Sequence, residues 1–310
     1  MALVSTTMKD LLSAYRELLK DYEDDTIDKT IAGIKTFKLG IFGGTIIYPA
    51  IQLMPIYELH GGARSGRQYR VDRLIEASIY VKMSDIKSSS IHLQELSQAL
   101  LDIFYDTSNP NNYKMTNGDG DDTVWHFSPG SIDYDRFTEG TTIIQMASIP
   151  ITFTSWETMP SPTLSSSITD TDLRGIGEYI YGQLEAAAGL NEVKFFYNHA
   201  FPPVKVGKGA VVTVMEISDE RTRRETGRDN PFGYIDIVVW TKGSPYQDYL
   251  NYNLDIVEDL KDVVQALPHM GGKTWFSQIE RINFGYVDEL SLYASQLMLR
   301  TQAYNAMPQY

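Results

Sequence analysis

The feature that most narrows what this chain can fold into is an order of elements that occurs twice. From about Thr7 to Trp156 an amphipathic helix precedes a group of short alternating strands, a second amphipathic helix and a closing pair of strands. The same order returns from about Thr171 to Tyr304. A chain written this way is expected to be a duplicated domain, each copy reading α-β-β-β-α-β-β. Its 310 residues, 43% of them hydrophobic, hold enough apolar material for two cores of ordinary size.

The helices carry the clearest periodicity. Met8, Leu11, Leu12, Tyr15, Leu18, Leu19 and Tyr22 recur at three- and four-residue steps, as do Leu173, Ile176, Tyr179, Ile180, Leu184 and Ala187. Thr6 or Thr7 is placed to cap the first of these helices, and Asp170 or Thr171 its counterpart. Leu93, Leu96, Leu100, Ile103 and Phe104 form the stripe of the next helix. Leu250, Leu254, Val257, Lys261, Val264 and Leu267 form that of its partner. Lys261 interrupts that row and is expected at the edge of the buried face, its ammonium group in water.

Strands fill the intervals. AIQLMPIYELH (Ala50 to His60) and AVVTVMEIS (Ala210 to Ser218) each lead into a polar turn, and Pro55 marks an edge or bulge because it donates no ladder hydrogen bond. Ile75, Ala77, Ile79, Val81 and Met83 alternate with Glu76, Ser78, Tyr80 and Lys82, and Tyr234 to Thr241 repeats that element. WHFS (Trp125 to Ser128) and WFS (Trp275 to Ser277) open the closing hairpins, where the two tryptophans are expected to pack on the sheet. Between the halves, ETMPSPTLSSSITD (Glu157 to Asp170) offers two prolines and no apolar face, the composition of a linker. The expected architecture is therefore α+β, with two related domains at residues 1–156 and 171–310 joined by a linker at 157–170. Each is expected to be a mainly antiparallel sheet packed by two helices.

Composition and motifs limit the chemistry. No cysteine is present, which removes disulfides and thiolate chemistry, and no apolar run is long enough to span a bilayer. The sequence opens without a secretory leader pattern and reads as a soluble chain with no membrane partner. A net charge of -13 opposes a grip on nucleic acid, whose affinity comes from Lys and Arg displacing counterions. NGDGDD (Asn117 to Asp122) alternates like early calcium ligands, but Asp122 stands where the loop needs glycine and Ser128 where it needs glutamate. His60, His92, His126, His199 and His269 have no metal-site spacing, no GxSxG elbow occurs, and HGGARSGR lacks the Lys-Ser/Thr ending of a P-loop. No catalytic, metal or cofactor residues are assigned, and the expected role is binding rather than catalysis.

Two arginine-rich turns are the candidate contact sites. Arg64, Arg67, Arg70 and Arg73 surround the first, and Arg221, Arg223, Arg224 and Arg228 the second. Solvated hairpin tips are the plain explanation. Docking to acidic neighbouring subunits is the functional one, since the guanidinium fork pairs well with carboxylates.

The order of elements resembles that of tail-terminator, or tail-completion, proteins of long-tailed bacteriophages. RVDRLIEASIYVKMSDIKSSSIHLQELSQALLDIFYD (Arg70 to Asp106), where an alternating strand passes through a Ser-rich turn into a helix, carries the likeness. NPFGYIDIVVWTKGSPYQDYLNYNLDIVEDLKDVVQALP (Asn230 to Pro268) repeats it. The resemblance covers nearly the whole chain through pattern rather than an invariant motif, and the duplication departs from the family's usual single domain. It implies a structural virion protein, assembled in the host cytoplasm, that forms a ring on the head-proximal end of a tail tube. Such a ring stops tube polymerisation and makes the joint to the neck. Its partners would be further copies of itself, six favoured and three the rival, the tail tube protein, the neck or connector proteins, and sheath where a tail has one. DNA would pass through without specific binding. The competing readings are another tail, neck or baseplate-hub adaptor, and then a small-ligand-binding protein or an enzyme.

Overall fold

The computed structural model describes residues 6–20, 31, 33–41, 46–64, 68–83, 85–105, 126–158, 173–223, 229–242, 247–267 and 269–303. Helix α1 (Met8–Lys20) begins at Thr7, whose Oγ1 accepts a hydrogen bond from the Asp10 backbone N–H at 3.0 Å. The Asp10 carboxylate returns the bond to the Thr7 N–H at 3.3 Å, a reciprocal cap of the kind worth about 1 kcal/mol. Met8, Leu11, Leu12, Tyr15, Leu18 and Leu19 are all buried along one face, as their spacing requires. Tyr22, the caps at Asp170 or Thr171, Trp125, the side chain of Trp275 and the NGDGDD turn lie outside the described residues.

Strands β1 (Thr36–Leu39), β2 (Ala50–Arg64) and β3 (Gln68–Lys82) follow, then helix α2 (Ile86–Tyr105) and strands β4 (His126–Pro129), β5 (Asp133–Glu139) and β6 (Thr142–Thr158). The second half places α3 (Leu173–Glu185) before β7 (Lys194–Tyr197), β8 (Val211–Arg223) and β9 (Asp229–Lys242), then α4 (Gln247–Gln265), β10 (Thr274–Val287) and β11 (Leu292–Ala303). Among the described residues the protein is a mixed α+β fold with four helices and one large, mainly antiparallel sheet. The sheet has eleven strands in the order β4-β6-β3-β2-β10-β11-β9-β8-β7, with β1 against β2 and β5 against β6. Among the described residues only β1 and β7 run parallel to their partners.

The expectation of a separate sheet for each half meets a continuous one. Strand β10 of the second half pairs with β2 of the first, Arg281 opposite Leu59, Ile282 opposite Glu58 and Asn283 opposite Tyr57. A strand with one free edge satisfies its backbone groups by taking another strand, and here it takes one from the other half. The boundary also moves: β6 runs to Thr158, so Glu157 belongs to the sheet rather than to the linker.

Alternation along the strands builds the core. Ile75, Ala77, Ile79 and Val81 of β3 lie with Ala147, Ile149, Ile151 and Phe153 of β6 in one buried cluster that also takes in the apolar faces of all four helices. A smaller cluster of Val206, Val211, Trp240 and Leu292 forms separately. The halves meet elsewhere too. Gly40 holds φ +76 in the turn after β1, and the Tyr293 hydroxyl of β11 lies 2.6 Å from where a Cβ would project. That hydroxyl accepts a hydrogen bond from the Ile41 N–H at 3.0 Å, so the turn demands glycine for both backbone and space.

Candidate functional site

Period-two alternation places Arg73 of β3 on the same face as Ile75 and Ala77, under the helices. Its side chain is 1% exposed. The guanidinium Nε donates to Glu58 Oε2 of β2 at 2.8 Å, Nη1 to Ser155 Oγ of β6 at 2.6 Å, and Nη2 to Glu157 Oε1. Lys261 descends onto the same carboxylates from α4, 3.4 Å from Glu58 Oε1, 3.6 Å from Glu157 Oε2 and 2.8 Å from Glu258 Oε2. Around the rim, Tyr69 donates its hydroxyl to Glu157 at 2.7 Å and accepts from Gln265 at 2.9 Å. His60 stacks on the Tyr69 ring and brings Nε2 within 2.8 Å of Glu58 without hydrogen-bond geometry.

This is a network of three acids and two bases, and each charge is set by its neighbours. Burial alone would raise the Glu58 carboxyl, but Arg73 and then Lys261 outweigh it and hold Glu58 well below the usual carboxylate range. Glu157 is lowered in the same way, again against burial. Burial would lower the two cations, yet Glu157 and Glu58 push Arg73 up, while Glu58, Glu157 and Glu258 push Lys261 up. Glu258 is the surplus acid. Burial, opposed by Lys261 and aided by repulsion from Glu58, pushes its carboxyl up to about 7.

The raised Glu258 predicts a pH dependence. The folded protein keeps this proton to a higher pH than the unfolded chain does, so the contribution is complete below about pH 4.3 and is lost as pH rises toward 7. Glu258→Gln is expected to flatten the fall in unfolding free energy over that window, as read by urea denaturation at several pH values. An unchanged slope would remove Glu258 as its source.

The eight arginines of the two turns separate. Arg73 is corrected from a docking residue to a core residue, because its donors are already bound to buried carboxylates. Arg70 is exposed and lies 2.9 Å from Asp72. Arg64, Arg221 and Arg223 stand at strand ends, their side chains outside the described residues, as Arg67, Arg224 and Arg228 are entirely. Lys261 is likewise corrected: it is 2% exposed and does not reach water, since three carboxylates solvate it instead. Sequence reasoning missed the network. Its signals were a lysine inside an apolar helical row and an arginine in phase with the core residues of β3.

Two of the open grooves among the described residues are large enough to name. One, of about 440 Å³, lies between α2 and β5 and includes Ser90, Leu93, Tyr134, Arg136 and Gln145 in its lining. The other, of about 780 Å³, is lined by Phe201, Pro203, Val206, Lys242 and Leu290 among others. Among the described residues no group of three or more His, Asp or Glu side chains is placed to hold a metal ion, and no helix is long and apolar enough to cross a membrane. No protein-family model matches the chain, and no curated protein matches it at a significant level.

Proposed function

We propose that this chain is a structural protein of a bacteriophage tail, forming a ring that caps the head-proximal end of the tail tube, ends its polymerisation and joins it to the neck. The observation that carries this reading is that the pairing pattern of the sheet recurs between the halves. In each, a four-residue strand runs parallel to the start of the first long strand, Thr36–Leu39 beside Ala50–Leu53 and Lys194–Tyr197 beside Val211–Val214. A bulge then falls at the matching place, between Pro55 and Tyr57 of β2 and between Glu216 and Ser218 of β8. These matches support two related α-β-β-β-α-β-β units, the first closing with β6 at Thr158, with β4 and β5 together standing for one strand, and the second opening with α3 at Leu173, as in a duplicated tail-terminator domain.

A cap needs two unlike faces and no chemistry. One side satisfies the exposed edge of the tube, and the other offers no site for a further tube subunit. The net charge of -13 suits a ring through which DNA slides, because carboxylates facing the passage repel phosphates. Tube protein, neck proteins and, where there is one, sheath are its partners. With two units per chain, three chains supply six repeats around a six-fold tube, and six chains supply twelve.

The purified protein is expected to form a ring with a central hole in electron micrographs, its copy number read by native mass spectrometry. Charge reversal at Arg67 and Arg224 is expected to weaken ring or tail association more at low than at high ionic strength, because salt already screens the wild-type attraction. Association unchanged at every ionic strength removes the docking role of the arginine turns. A monomer at all concentrations, with a small ligand held in a closed pocket, would overturn the ring itself.

A further inference from the structure

The sheet ends in two different edges, and the join inside the chain indicates how they fit together. The outer edge of β2 is shared: β1 takes Ala50–Leu53, and beyond the bulge β10 takes Tyr57, Glu58 and Leu59. Strand β8 has the same parallel partner over Val211–Val214 and the same bulge. Past that bulge, no strand takes its outer edge at Ser218, Asp219 and Glu220 among the described residues. By position from the bulge, those three residues correspond to Tyr57, Glu58 and Leu59.

The opposite end of the sheet matches the other side of the join. Strands β4 and β5 together lie on β6 as β10 lies on β11. Pro129 faces Ile151 and Asp133 faces Ser148, so four steps on one strand meet three on the other. In the second half Ile279 faces Leu299 and Asn283 faces Gln296, the same offset. Ser131, Ile132 and Asp133 therefore correspond to Arg281, Ile282 and Asn283, the residues that hold β2. Their outer edge takes no strand among the described residues.

We propose that a second copy of this chain docks by edge pairing, residues 131–133 of one copy running antiparallel to Ser218–Glu220 of the next, in the register of the β10–β2 join. This rests on reading the halves as two copies of one unit. Ile132 then faces Asp219 as Ile282 faces Glu58, an isoleucine opposite an acid in both. Both edges also carry exposed apolar groups that a neighbour would cover. Tyr134 and Phe137 on β5 are 51% and 41% exposed, and Ile217 at the β8 bulge is 49% exposed. Because the two edges differ, the contact is head to tail, the kind that closes into a ring when the rotation per copy allows.

The absence of cysteine makes the test clean. Ser131→Cys and Glu220→Cys are made in separate chains, each checked for folding by circular dichroism, then mixed under mild oxidation. The expected product is a disulfide-linked dimer that forms readily from the mixture and hardly at all from either variant alone, because facing strand positions lie within disulfide reach. Asp133→Cys with Ser218→Cys should behave alike, and Ser131→Cys with Ser218→Cys, two positions out of register, should not. An oligomer by native mass spectrometry with none of these cross-links would overturn the edge pairing and leave the tail-ring reading standing. Equal cross-linking of matched and mismatched pairs would overturn the register and the proposal with it.

Discussion

Replacing Arg73 by methionine is expected to cost about 3–5 kcal/mol of folding stability, the range found when one partner of a buried ion pair is removed. Glu58 and Glu157 would then face each other under the helices, 0% and 1% exposed, with Lys261 as their remaining close cation. The comparison variant is Arg70→Met, whose exposed pairing with Asp72 is worth less than about 1 kcal/mol. The pH dependence carries the sign. In the wild type the depressed carboxyls of Glu58 and Glu157 contribute stability above the normal carboxylate range and lose it as pH falls through their folded values. Without Arg73 those values rise, so the deficit should be largest at neutral pH and shrink in acid. Urea denaturation of the three proteins at pH 7 and at low pH reads this directly. Equal stability of Arg73→Met and Arg70→Met would mean that the network contributes nothing.

On the proposed tail-cap reading, loss of the protein is expected to leave tails that are overlong, frayed at the upper end or unable to join filled heads. A tube grows because each added ring presents the edge that the next ring needs, and it stops when something binds that edge and offers another. Without the cap, growth is limited only by subunit supply, and the neck meets a surface it does not recognise. Electron microscopy of mutant lysates measures both length distribution and head attachment, and labelled virions separate the head-proximal end from the baseplate. Normal tail length together with normal head joining would defeat the terminator reading, whatever the copy number of the ring.

Much of the local structure was legible from residue patterns. The row from Met8 to Leu19 is buried as spaced, Thr7 is the cap, and Ile75, Ala77, Ile79 and Val81 face the core together. These signals are local, carried by a period of 3.6 or of 2 within a dozen residues. The charged residues were not legible in the same way. Arg73 lies among the turn arginines in sequence, and only its phase with Ile75 points inward. Lys261 reads as solvated because a lone lysine in an apolar row ordinarily snorkels. Glu157 reads as linker on composition, yet it is the partner of both Arg73 and Tyr69.

The sequence by itself determined the helices and the long strands in their order, since each depends on neighbours a few positions away, but not that the first half closes with three strands, β4, β5 and β6, where two were expected. Only the tertiary structure decided that the halves share one sheet and that their charges meet. Lys261 and Glu58 are 203 residues apart in the chain. An ion pair leaves no periodic trace at such a separation, and whether a lysine sheds its water depends on carboxylates that another strand brings to it. The β10–β2 join is equally silent in sequence, because backbone pairing uses N–H and C=O groups that every residue but proline carries alike.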